Sequence, residues 1–158
     1  MLRRLFALAI VLFPVVALAV TPGTATGKIT FNGKAKDLKY AYAWKDPKSN
    51  EVIVVLTDTK LDDKVLADKF ALIDAARKDK FTGVQVPISA KGDAGTGTFY
   101  TAAEDGYFDA GGMHKWEKKA QTSTSIEGKL SAPEGHFFKT SYSYSATFQA
   151  PISAAPKK

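Results

Sequence analysis

The chain has 158 residues, a formal charge of +6, 45% hydrophobic and 11% aromatic residues, and no cysteine. Without cysteine, disulfide staples, thiol catalysis and a lipid-modified cysteine behind a leader are all excluded, so burial of apolar surface has to hold the fold alone. Lysines and acidic residues interleave, and the blocks of like charge that mark nucleic-acid or membrane-surface binding are missing. A solvated basic surface is expected, with nucleic acid excluded as a partner.

The first segment has the three parts of an export signal. Arg3 and Arg4 precede an uncharged apolar run from Leu5, which closes on the small-x-small triplet Ala17-Leu18-Ala19. The run is about 15 residues long, short of the roughly 20 that cross a bilayer as a helix. Residues 1–19 are therefore expected to be a cleaved signal peptide. The protein is then exported, periplasmic or extracellular in a bacterium, with no stable membrane anchor after cleavage. The remaining chain, 158 less 19, has 139 residues, and the loss of Arg3 and Arg4 brings its charge to +4. A domain near this size buries about two-thirds of its unfolded surface. Residues 20–27 read as a linker, 28–152 as a single β-rich domain, and 153–158 as a disordered tail.

Asn32-Gly33 is a hairpin signal, because both residues tolerate the positive φ of a type I′ turn. Leu38, Tyr40, Tyr42 and Trp44 then alternate with Lys39, Ala41, Ala43 and Lys45, as in a strand with one aromatic face. Asp46 to Asn50 is a turn. Residues 52–56, Val-Ile-Val-Val-Leu, are apolar on both parities and predict a central strand covered on both sides. Between Thr57 and Lys80, Val65, Leu66, Phe70, Ile73 and Ala76 recur at helical spacing, with Asp62 and Asp63 at the start and Arg77, Lys78 and Lys80 at the end. One covering helix is expected there.

Beyond it, Val84, Val86 and Ile88 form a strand that Pro87 assigns to an edge. Short strands over Thr98–Ala102 and Tyr107–Ala110 flank a Glu104-Asp105-Gly106 turn. Thr124, Ile126, Gly128 and Leu130 share one parity of the next strand. Ser131 to Gly135 is expected to turn the chain into the closing strand. In that last strand Tyr142, Tyr144, Ala146, Phe148, Ala150 and Ile152 alternate with Ser, Thr and Gln, so its aromatics are assigned to the core. A Tyr-x-Tyr pair begins seven residues after Gly33 and again after Gly135, an echo that reads as two hairpins of similar chemistry rather than a duplication.

About eight short strands at 8–12-residue spacing predict a mostly-β fold, an antiparallel β-sandwich with one covering α-helix. A small lipocalin-like β-barrel is the alternative.

Catalytic signals are sparse. No Gly-x-Ser-x-Gly elbow occurs, and His114 and His136 are the two histidines. Glu104, Asp105, Asp109, His114 and Glu117 are the densest set of possible metal ligands, but they lack paired-histidine spacing, and no metal or cofactor is expected. The glycines of Lys91–Thr98 lack the Gly-Lys-Ser/Thr ending of a phosphate loop and suit a hairpin turn. Two stretches stand out as binding surfaces. In the strand row Tyr40, Tyr42 and Trp44, inward Ala41 and Ala43 would leave an aromatic platform exposed. In the loop, Met113, His114 and Trp116 crowd beside Gly111-Gly112. The reading is an exported, non-catalytic domain binding an envelope protein or saccharide. The alternatives are a barrel carrying an apolar ligand, and a weak hydrolase using His114 with nearby carboxylates.

Overall fold

The computed structural model describes residues 22–156, so the proposed signal peptide lies outside the described residues. Nine strands form one sheet, antiparallel except for a short parallel pairing of β2 with β9 at Ala43 and Ile152: β1 (Gly23–Phe31), β2 (Lys34–Lys45), β3 (Val52–Thr57), β4 (Gly83–Ile88), β5 (Gly97–Thr101), β6 (Gly106–Ala110), β7 (Lys115–Gln121), β8 (Ser125–Phe137) and β9 (Thr140–Ser153). Their order across the sheet is β6-β5-β4-β3-β2-β1-β9-β8-β7. The chain meanders from β1 to β6 and again from β7 to β9, and the first strand pairs with the last. The mostly-β expectation holds. The two layers of the expected sandwich are the two halves of a single curled sheet.

Most turns follow the sequence chemistry. Asn32 and Gly33 have φ of 48° and 74°, and Phe31 pairs with Lys34 across them. All six residues of β3 are buried, with Val52, Val54 and Leu56 in the main core and Ile53 and Val55 in a second cluster on the opposite face. Asp105 and Gly106 turn β5 into β6 at φ of 51° and 105°. Gly92, at φ 89°, closes the β4–β5 loop by donating to the Ser89 carbonyl at 2.9 Å.

Several expectations change. β1 starts at Gly23, so 23–27 are strand rather than linker; Ala25 is buried there and the segment pairs with β9. Pro87 lies in a strand flanked on both sides, but β5 reaches only to Gln85, which leaves Pro87 free of a ladder donor's duty. The single helix is two, α1 (Asp63–Leu66) and α2 (Lys69–Arg77). Asp68 is extended between them, and its carboxylate caps the Phe70 N–H at 2.9 Å just as Asp62 caps that of Val65. The break shifts the phase of the apolar stripe. Leu72, Ile73, Ala75 and Ala76 are buried, while Phe70, assigned to the stripe, is exposed.

The turn placed at 131–135 is not a turn. β8 runs on to Phe137 through a bulge between Ala132 and Gly135, and the chain reverses at Phe138-Lys139. Gly135 is thus a bulge glycine and Gly33 a turn glycine, so the two Tyr-x-Tyr strands are not equivalent.

A main core lies between the halves of the curled sheet. Phe99 of β5 sits 4.6 Å from Tyr142 and 5.0 Å from Phe108, and Phe108 is 4.7 Å from Phe137, ring centre to ring centre. Tyr142, Tyr144 and Phe148 all point inward, as their parity predicts. Outside the sheet, α2 buries Leu72 and Ile73 with Phe81 and Tyr100. No helix among the described residues is long and apolar enough to cross a membrane.

Where β1 meets β9 the facing backbone leaves no room for a side chain. A Cβ at Gly27 would fall inside the Ser145 carbonyl and the Ala146 backbone. Gly27→Ala should therefore lower unfolding stability by about 3 kcal/mol in chemical denaturation, with exposed Thr26→Ala within about 0.5 kcal/mol of wild type. A neutral Gly27→Ala would show that β1 and β9 do not pair in this register.

Candidate functional site

The aromatic row of β2 is decided by a register shift. Between Thr24 and Gly27, β1 sets two residues against one of β2. β2 consequently changes the parity it turns inward. Leu38 belongs to the main core and so do Ala41 and Ala43, while Tyr40, Tyr42 and Trp44 turn to the outer face. The alanines thus face inward, as one reading of the sequence allowed. The outer row is nevertheless not an open platform. Leu66 of α1 and Leu61 before it cover the row, packing with Ile53 and Val55. Tyr42 is fully buried, and its hydroxyl accepts from the Leu61 N–H at 2.7 Å. Burial pushes its pKa up, partly opposed by that backbone bond. Tyr40 and Trp44 are half-buried at the rim.

The loop candidates are likewise drawn into the fold. Met113 and Trp116 pack against the main core. Tyr142 donates its hydroxyl to the Met113 sulfur at 3.3 Å. Trp116 lies 5.5 Å from the Phe148 ring, over Gly128, where a Cβ would meet the indole. Its Nε1 is buried without a hydrogen-bond partner.

His114 sits over Gly97 and stacks on Phe99 at 5.6 Å. Nε2 lies 3.0 Å from the Ala110 carbonyl, which can only accept, so Nε2 carries the hydrogen. Nδ1 then accepts from the Tyr144 hydroxyl at 2.8 Å. Both ring nitrogens are engaged, which leaves neither free to take a proton from a substrate or to bind a metal in this arrangement. The carboxylates near it in sequence are occupied elsewhere. Asp109 accepts from Thr98 at 2.6 Å, Asp105 pairs with Arg77 at 2.7 Å, and Glu117 faces Lys129 at 3.6 Å. No group of three His, Cys, Asp or Glu able to hold a metal occurs among the described residues.

A different surface offers room. A groove of about 690 Å³ crosses the outer face of β7, β8, β9 and β1. Its floor is a field of alternate, outward side chains. Thr24 and Thr26 stand on β1, Thr147 and Gln149 on β9, Glu127 and Lys129 on β8, and Glu117, Lys118 and Lys119 on β7. Cross-strand ion pairs fix two of its corners, Lys119–Glu127 at 2.6 Å and Lys129–Glu117 at 3.6 Å. One signal for this site is legible in the sequence, the polar parity of β8 and β9. Which strands would lie side by side could not be read locally, because β1 and β9 come from opposite ends of the chain.

Comparison with known proteins yields no relative: no family model, no curated protein and no solved structure matches the chain.

Burial lowers the pKa of His114, with the bond to Ala110 opposing it in part. The unfolded chain therefore takes up the proton first. This contribution to stability is full above the unfolded imidazole pKa of about 6.5 and is lost as the pH falls below it, at no more than about 1.4 kcal/mol per pH unit. Denaturation midpoints at pH 7.5 and 5.5 should differ for wild type, and the difference should shrink in His114→Gln. An equal difference in both proteins would remove His114 as the cause.

Proposed function

We propose that the protein is an exported, non-catalytic domain that binds a saccharide or protein of the cell envelope, with the outer groove of β7, β8, β9 and β1 as its binding surface. The single observation that carries this reading is the groove's size combined with its lining. Pockets for apolar small molecules are lined mainly by hydrophobic and aromatic side chains. This one is lined mainly by threonine, glutamine, lysine and glutamate, with Gly128 and the largely buried Phe148 as its apolar part. Such a lining supplies both donors and acceptors and suits a hydroxyl-rich ligand, which favours a saccharide. The ion pairs already hold two lysines and two glutamates in place, so less side-chain freedom is lost on binding.

Export rests on the leader-like residues 1–19, with Arg3 and Arg4 before the apolar run and Ala17-Leu18-Ala19 after it. A barrel carrying an apolar ligand is less favoured, since the space between the sheet halves holds the rings of Phe99, Phe108, Tyr142 and Tyr144 in mutual contact. A hydrolase built on His114 is less favoured for the reason given above, that both ring nitrogens are bonded inside the protein.

Co-sedimentation with isolated envelope saccharide tests the reading. Thr147 is exposed and lines the groove, so Thr147→Arg intrudes on it without touching the core. Retention should fall at least tenfold, equivalent to about 1.4 kcal/mol, with an unchanged Tm. Equal retention by Thr147→Arg and wild type would sink the groove as the binding surface.

A further inference from the structure

A smaller cavity lies apart from the outer groove. β3 stops at Thr57, opposite Tyr40, so residues 34–39 of β2 have β1 on one side and no strand on the other. β4 starts at Gly83, opposite Tyr100. Beyond those two strand ends a cavity of about 300 Å³ opens between the β1–β2 turn, the segment after α2 and the 3₁₀ turn Ala102–Glu104. Its size is at the lower end of that of small-molecule pockets.

The walls are fixed without a ligand. Lys36 reaches across the gap, donating to Thr82 Oγ1 at 2.9 Å and to Asp79 Oδ1 at 3.0 Å, with Asp58 at 3.7 Å. Asp58 in turn accepts from the Thr82 N–H at 2.7 Å. Thr82 and Thr101 are buried, and the Thr101 hydroxyl accepts from the Ala103 N–H at 3.3 Å. Phe31 supplies most of the apolar lining, held edge-on to Phe99 and Phe108 at 6.0 and 6.1 Å, and Ala102 and Ala103 complete it. Little ordering is left to be done on binding.

Three polar groups of the lining are unspent. Asn32 Oδ1 accepts from the Ser141 N–H at 2.9 Å, which leaves the NH2 group of the same side chain without a partner among the described residues. Lys34 is exposed and forms no ion pair among the described residues. Asp79 meets Lys36 through Oδ1, and its Oδ2 is open. The charges of the cavity balance, since Lys34 and Lys36 stand against Asp79 and the Asp58 behind them. A simple anion or cation would meet a like charge together with its counter-charge. A molecule with one charge of each sign finds a partner for both.

We propose that this cavity binds a small zwitterion with an apolar body, of the class of the free aliphatic α-amino acids. The carboxylate meets the Lys34 ammonium and the Asn32 NH2 group, the α-ammonium meets Asp79 Oδ2, and the aliphatic chain lies against Phe31, Ala102 and Ala103. Lys36, already bonded to Thr82 and Asp79, holds the wall in place. The cavity shares no residue with the outer groove, so the two sites stand or fall independently.

Isothermal titration of the full chain with L-leucine, isocaproate and isoamylamine is the test. The last two keep leucine's branched apolar body and carry only the carboxylate or only the ammonium. Leucine should bind at least tenfold more tightly than either. Lys34→Gln and Asp79→Asn should each lose at least tenfold in leucine affinity. Asparagine tolerates the φ of 52° found at Asp79 and can still accept from Lys36, so Tm should stay at the wild-type value. Thr147→Arg, in the outer groove, should bind leucine as wild type does. Absence of leucine binding by wild type, equal binding of the three probes, or unchanged affinity in either cavity variant would overturn the proposal. So would loss of leucine binding in Thr147→Arg, which would place the ligand in the groove, or a loss in Asp79→Asn accompanied by a lower Tm, which would give Asp79 a structural role.

Discussion

Everything in this fold depends on the pairing of β1 with β9. The segments β2 to β6 and β7 to β9 are two meanders that could each form from local hairpins. They become one sheet because β1 lies between β2 and β9, from Thr24 opposite Gln149 to Phe31 opposite Tyr142, and because β2 pairs directly with the end of β9 where β1 has not yet begun, Ala43 opposite Ile152. That seam joins residues more than a hundred positions apart, so its loop-closure entropy must be met by contacts that form late. Gly23 and Gly27 allow the two backbones to approach where a side chain would collide. With the seam in place the sheet curls, and Phe99 and Phe108 from one half meet Tyr142 and Tyr144 from the other. In a chain with no cysteine these ring contacts take the place of covalent staples. Each buried aromatic contributes about 2 kcal/mol in area alone, and aromatic pairs add about 1 kcal/mol more.

The same seam determines where chemistry can occur. The bulge in β1 reverses the parity of β2 halfway along, so one strand serves two cores. Leu38, Ala41 and Ala43 fill the space inside the sheet, while Tyr42 and its neighbours accept α1 from outside. Small alanines inside leave room for the rings of β5 and β9. Large aromatics outside create the surface that a short helix needs, since four residues of helix have almost no stability of their own. The covered row is therefore a consequence of closing the sheet with a twist.

This explains which parts of the molecule were legible in the sequence. Signals confined to one element came through: Asn32-Gly33 as a turn, Val52–Leu56 as a doubly covered strand, Tyr142 to Phe148 as a core face. Misreadings arose where a second element decided the outcome. The parity of Tyr40, Tyr42 and Trp44 follows from a bulge on the partner strand. Pro133 and Gly135 looked like a turn but lie in a bulge of a strand held by β9. The true turn at Phe138 has no turn-favouring residue at its positive φ. Phe70 fitted a helical stripe until Asp68 broke the helix and restarted its phase. Met113, His114 and Trp116 carry varied chemistry in a glycine-loosened loop, yet the gap they fill is defined by Gly97, Gly128 and Tyr144, which come from three other strands.

What remains outside the cores is informative because so much has been drawn in. Tyr42, Tyr100, Tyr142, Tyr144, Phe31, Phe81, Phe99, Phe108 and Phe148 are all buried. A fold this dependent on aromatic cohesion, with a net stability of about 5–15 kcal/mol, gains by burying every ring it can. Exposed rings are then costs that the rest of the structure offsets. Tyr107 is partly compensated by Lys69, whose ammonium lies 5.2 Å from its ring centre. Phe138 has no such cation, and its positive φ adds about 1 kcal/mol or more. The groove side presents the opposite case, a broad sheet face on which Thr, Gln, Lys and Glu cost nothing to leave in water and can be varied without disturbing the cores beneath. Polar surface chemistry in this molecule is therefore separated from cohesion. One face is free to change its side chains, and one tip carries a residue whose retention the folded state does not by itself explain.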